Sequence, residues 1–172
     1  MNLVKSILEK VHVELNVLDC GSARPMSSKA AKILAENKEK PQAVHNACSG
    51  KHSGMLALCR MLGIPVEGYT KPDHQVQKIM HQSVAECAKI SPEKLEIGID
   101  GCGVPVFYLP LYNMSLAYAR LAKPSDGDWR EKEEAVTKIR NAMIAHPLVV
   151  SGTGRIDDAV SAITKGRIIA KI

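Results

Sequence analysis

The sequence predicts a mixed fold, mainly α with a few strands, built as a single domain over residues 1–172. Apolar residues recur at helical spacing through most of the chain, whereas strand-like runs are short and few. Capping residues and glycine or proline stops punctuate the helical segments. A chain of 172 residues suffices for one fair-sized domain, burying roughly 70% of the surface its unfolded form exposes.

Val4, Ile7, Leu8 and Val11 predict a first helix over residues 2–12. Residues 15–21 then lead into a turn with Arg24-Pro25. Ser27 or Ser28 caps a second helix running to about Asn37, where Lys38-Glu39-Lys40-Pro41 ends it. A third helix starts near Cys48, with Met55, Leu56, Leu58, Cys59 and Leu62 as its buried stripe, and Gly63 and Pro65 stop it. Pro72-Asp73 opens a long helix to about Lys89, with Val76, Ile79, Met80, Val84 and Cys87 inward.

Ile90-Ser91-Pro92-Glu93 is a cap followed by a short helical turn. Residues 95–99 are the best strand candidate and deliver Asp100 to Gly103 at its end. Residues 111–121 and 129–144 are expected to be helical, separated by a polar loop over 123–128. Leu148-Val149-Val150 is expected as a gap-filling strand or turn, residues 156–164 as a short helix and residues 167–172 as a strand. The last run is apolar and has no polar tail, and a terminal strand needs a pairing partner. The sequence is therefore expected to be truncated.

Composition narrows the function classes. Hydrophobic residues make up 45% and charged residues 24%, ordinary for a globular protein. The net charge of +5 is spread among acids, and aromatics are 3%; stacking platforms for single-stranded nucleic acid are missing. Nucleic acid is not an expected partner. No apolar run approaches the roughly 20 residues of a membrane span, and the opening alternates apolar and charged residues unlike a targeting signal. Cys20, Cys48, Cys59, Cys87 and Cys102 are odd in number and not densely spaced. Reduced thiols in a cytoplasm are the expectation.

Two small-residue turns carry the chemistry: Cys48-Ser49-Gly50-Lys51-His52-Ser53-Gly54 and Asp100-Gly101-Cys102-Gly103-Val104-Pro105. Each sets a thiol beside glycines, where backbone approaches a ligand closely. Cys48 and Lys51 lie three apart at a helix start, so both can point to one place. With Cys102 there too, nitrogen and sulfur donors would surround an open position, as in a catalytic metal site. The alternative for each cysteine is a small core residue, and Cys59 and Cys87 are read that way.

Lys51 in a first helical turn opposes the macrodipole, so it is either solvated or held by chemistry. Asp100 either orients ligands or water beside the metal or simply supports its turn. Arg155, after Gly152-Thr153-Gly154, is either a guanidinium clamp for a carboxylate or a solvated arginine at a helix start. A phosphate loop at Gly50-Lys51 fails, because His45 and His52 stand where glycine and a hydroxyl residue are needed. Ser91-Pro92-Glu93-Lys94 matches Ser-x-x-Lys in form, but capping explains it better. The histidines show no His-x-x-x-His pairing for zinc.

Taken together, residues 45–56, Asp100-Gly101-Cys102-Gly103-Val104-Pro105, and His146-Pro147 through Ser151-Gly152-Thr153-Gly154-Arg155 resemble the asparaginase II family. The similarity covers the chain in the family's order. It implies an amidohydrolase converting L-asparagine to L-aspartate and ammonia, on a fold like those of serine β-lactamases and glutaminases. It further implies zinc bound by Cys48, Lys51 and Cys102, with water completing the shell and Asp100 nearby. Arg155, His52 and Gly152 are the expected substrate contacts.

Departures accompany the resemblance. The family's N-terminal Ser-x-x-Lys nucleophile segment, its second catalytic serine and a later lysine have no counterpart here. His74 is followed by Gln75, where the family usually has proline. The expectation is thus the central, zinc-binding portion of an asparaginase II protein, inactive alone. Other readings are a non-catalytic zinc-stabilised module or remnant assembling with another chain, and a plain helical interaction domain. A homodimer is a further expectation.

Overall fold

The computed structural model describes residues 2–152, 154–165, 167 and 168. It is mainly helical, with eight α-helices and one two-stranded antiparallel sheet among the described residues. Two compact units divide it, residues 1–109 and 110–172.

In the first unit, α1 (Asn2–Lys10) buries Val4 and Leu8 against α3 (Ser49–Leu62). Between them α2 (Ser28–Glu36) begins where Ser27 accepts the Ala30 N–H, as its cap sequence predicts. Helix α3 ends at Gly63, whose φ of +66° is the left-handed conformation a helix stop favours. Leu56 and Cys59 are fully buried on α3, but Leu62, expected in the stripe, is 55% exposed. The buried face turns instead through Ser49, His52 and Ser53, so polar side chains line the first half of this helix.

Helix α4 (Gln75–Ala88) starts two residues later than expected. His74 caps it: its Nδ1 accepts the Val76 N–H while Nε2 meets the Pro65 carbonyl. Val76 is fully buried with Ala85 and Ala88, whereas Ile79 and Met80 are only partly covered. Then β1 (Glu96–Ile99) pairs with β2 (Pro105–Tyr108) in the register Ile97↔Phe107, Ile99↔Pro105. Strand β2 was not foreseen. It is four residues long and opens with proline, which lacks a donor and is tolerated only at a strand's start or edge.

The turn between the strands is closed by Asp100 N–H to the Val104 carbonyl and Gly103 N–H to the Asp100 carbonyl, both at 2.9 Å. Gly103 has φ +89°, a conformation that disfavours any side chain. Cys20, Cys102, Val104, Val44, Leu56 and Tyr69 share the unit's apolar core.

The second unit holds α5 (Leu111–Ala122), α6 (Glu133–Ala145), α7 (Pro147–Ser151) and α8 (Ile156–Ile163). Its loop 123–129 is ordered by Arg120, which donates to the Gly127 carbonyl at 2.6 Å and stacks on Trp129 at 3.9 Å. The segment expected as a gap-filling strand or turn is helix α7. Pro147 at its first position pre-sets helical φ, and Gly152 at φ +88° ends it. Of the strand expected over 167–172, residues 169–172 lie outside the described residues, and Arg167 and Ile168 form a bend.

Burial separates two leucines of α3. Leu56→Ala is expected to lower unfolding stability by about 2–5 kcal/mol, while Leu62→Ala should change it by less than about 0.5 kcal/mol. Urea denaturation of the two variants checks this.

Candidate metal centre

The start of α3 and the β1–β2 turn bring the two glycine-flanked thiols together. The ligand atoms of Cys48, Asp100 and Cys102 all lie within 4.8 Å of one another. Cys102 is buried and Cys48 half-buried. Cys48 occupies the N-cap of α3, where serine or aspartate would normally turn back to cap the helix. Its side chain makes no such bond, so the sulfur faces the turn.

Asp100 is the hub of this group. Its Oδ1 accepts the Gly101 N–H at 2.8 Å, and its Oδ2 accepts the Cys102 thiol at 3.1 Å and the Lys51 ammonium at 3.2 Å. The Cys102 thiol, Lys51 and the Gly101 amide together hold its carboxyl below the usual carboxylate range. Burial, then the hydrogen bonds with Asp100 and Cys48, push the Cys102 thiol up. Burial pulls Lys51 down, but Asp100 and the neighbouring Cys102 and Cys48 outweigh it, and its value is raised. Lys51 is therefore held as a cation paired with Asp100, and it would have to shed a proton to serve as an amine ligand.

His52, next along the helix, is fully buried and 2.6 Å from the Tyr69 hydroxyl through Nδ1. That hydroxyl also accepts the Asp19 N–H at 2.9 Å. The other ring nitrogen, Nε2, is buried without a hydrogen-bond partner among the described residues. Burial lowers His52 to about 4, with the Lys51 charge adding to the effect. Burial likewise pushes Tyr69 up to about 12. Expected at the substrate, His52 has no exposed surface and is enclosed with Tyr69.

Gly152 and Arg155 belong to the second unit. Arg155 sits at the N-cap of α8, its Nε 3.9 Å from Oδ1 of the buried Asp157. Thr153, between them, lies outside the described residues.

A family model, L-asparaginase II, matches residues 1–172, the whole chain. The chain belongs to the L-asparaginase II family. Membership points to an asparaginase-like amidohydrolase acting on a small molecule. No curated protein matches the chain. The thiols and Asp100 that the fold assembles lie within the matched residues, and Lys51 joins them through Asp100. Sequence reasoning missed Tyr69, Asp19 and the packing role of Asn46. A tyrosine in a chain with 3% aromatics, next to a glycine, was the available signal for the first.

His52 makes stability depend on pH in a defined window. The unfolded ring takes up a proton near 6.5, the folded one only near 4. Stability from its burial is therefore full above about 6.5 and lost as pH falls toward 4, on the order of 3 kcal/mol in total. Thermal unfolding with chelator present, at pH 7 and pH 4.5, should show a larger loss for the wild type than for His52→Asn.

Proposed function

We propose that the chain is the zinc-binding portion of an L-asparaginase, hydrolysing L-asparagine to L-aspartate and ammonia. The observation supporting this reading is the convergence of Cys48, Asp100 and Cys102 within 4.8 Å in a member of the L-asparaginase II family. Cys48, Lys51 and Cys102 would hold the metal, with Asp100 beside them. The donor set fits. Two sulfurs on a tetrahedral zinc stand about 3.8 Å apart, and the donor atoms of Cys48, Asp100 and Cys102 here all lie within 4.8 Å of one another. When bound, zinc supplies Lewis-acid polarisation and a fixed positive charge near the substrate.

The chain's own residues do the rest. A Lys51 amine keeps N–H donors for Asp100 after losing its proton, and the Gly101 amide keeps holding the other carboxylate oxygen. His52, neutral and enclosed, adds no charge of its own beneath the site. Within the second unit, Arg155 beside Gly152 would serve as a guanidinium clamp for a carboxylate through paired hydrogen bonds. The attacking serine and its lysine are assigned to the family's Ser-x-x-Lys segment. Within these 172 residues the one match is Ser91-Pro92-Glu93-Lys94; there the Ser91 hydroxyl is held by Glu93 at the head of a short 3-10 turn.

Zinc binding requires the thiols and Lys51 to shed protons, so affinity rises with pH. Calorimetric titration at pH 7 in buffers of different ionisation enthalpy should give roughly three protons released per zinc with Lys51 as ligand, or roughly two with Asp100 in its place. Cys48→Ser should abolish stoichiometric binding. A wild-type chain that takes up well under one zinc would sink the reading.

The isolated chain of 172 residues is expected to release no measurable ammonia from L-asparagine. Metal-dependent turnover by it would place the nucleophile within these residues instead. Because Cys102 also belongs to the apolar core, a zinc-stabilised, non-catalytic module is the second reading. It is favoured if zinc raises the melting temperature and no added Ser-x-x-Lys chain restores activity.

A further inference from the structure

Cys48 and Cys102 sit on separate elements, tied at their tips by their own hydrogen bond and by Lys51 with Asp100, and something must also brace the backbone that carries Cys48. Asn46 is placed to do it. Its Oδ1 accepts the Cys48 N–H at 2.8 Å, an Asx-type turn that fixes the backbone at the N-cap of α3. Its Nδ2 donates to the Cys20 carbonyl at 2.7 Å and to the Gly21 carbonyl at 3.1 Å. One side chain thus ties the helix start to the loop at 19–21.

That loop in turn backs the β1–β2 turn. A Cβ built on Gly103 would lie 3.9 Å from the Asp19 carbonyl oxygen, and Cys20 shares the core with Cys102 and Val104. A second strap runs parallel: Asp19 N–H to the Tyr69 hydroxyl, and that hydroxyl to His52 on α3. Cys48 is therefore linked to Cys102 through Asn46 and the 19–21 loop, not through direct packing alone.

We propose that Asn46 is a positioning residue for the metal centre. It sets the separation of the Cys48 and Cys102 sulfurs, and with it the affinity for a divalent cation, without touching the ion. The inference rests on the zinc reading above. Outer partners of this kind commonly tune metal affinity by about 10- to 100-fold when removed.

The test uses the full chain. Zinc affinity is measured by competition with a chromophoric chelator for wild type, Asn46→Ala and Asn46→Asp, with far-UV circular dichroism confirming the fold of each. Asn46→Asp keeps the acceptor for Cys48 N–H but turns a carboxylate toward the Cys20 and Gly21 carbonyls, and it serves if the alanine variant does not fold. Each folded variant is expected to bind zinc about 10- to 100-fold more weakly. Its Co²⁺ form should show altered thiolate charge-transfer bands. Phenylarsine oxide, which bridges two adjacent thiols, should be captured more slowly, a readout independent of zinc.

A folded variant with wild-type zinc affinity and an unchanged Co²⁺ spectrum overturns the proposal, even if its melting temperature falls. A wild type that binds no zinc overturns the zinc reading itself, and that failure is visible before any variant is made.

Discussion

The Asp100 carboxylate carries the organisation of this site. Its two oxygens collect an amide, a thiol and an ammonium from the hairpin turn and from α3, elements 49 residues apart between Lys51 and Asp100. A lysine in the first turn of a helix is unfavourable to the macrodipole, and Asp100 supplies the opposite charge that holds it there. Both side chains of the pair are slightly more than a third exposed, so its value lies in placement more than in stability. It ties Lys51 to the turn that carries Cys102.

Beneath that exposed cluster lies a neutral polar seam. Tyr69 touches His52 and Asp19 through its hydroxyl and Gln77 through its carbonyl. All but Asp19 are buried. Polar groups inside a core are tolerated when hydrogen-bonded; here short bonds run between separate segments, while His52 Nε2 and Gln77 Oε1 have no hydrogen-bond partner among the described residues. The seam accounts for the buried His52 of α3, while Ser49 and Ser53 donate to the Val44 and Gly50 carbonyls. It leaves His52 and Tyr69 uncharged at neutral pH beside the charged pair Lys51 and Asp100.

Most helices were legible because capping and stop signals are local. Ser27, Gly63 and the apolar spacing of α1 act within a few residues of themselves, and the structure follows them closely. Where the reading slipped, tertiary packing had decided the matter. Leu62 faces out because α3's buried side rotates toward Tyr69 and α4, and β2 exists only because β1 offers it a ladder. Residues 148–150 are apolar enough for a strand, but Pro147 and Gly152 bound a single helical segment there.

The sequence by itself determined the chemical inventory: two thiols among glycines, a lysine at a helix start, an aspartate two residues before a cysteine, and the motifs of one family. Those are properties of residue type and local spacing, which no fold is needed to read. Only the tertiary structure decided that Lys51 is a cation held by Asp100, that His52 is sealed away from solvent, and that Asn46 bridges to a loop more than twenty residues upstream. Protonation state, enclosure and long-range hydrogen bonding depend on what stands opposite a side chain in space, and sequence spacing carries no information about that.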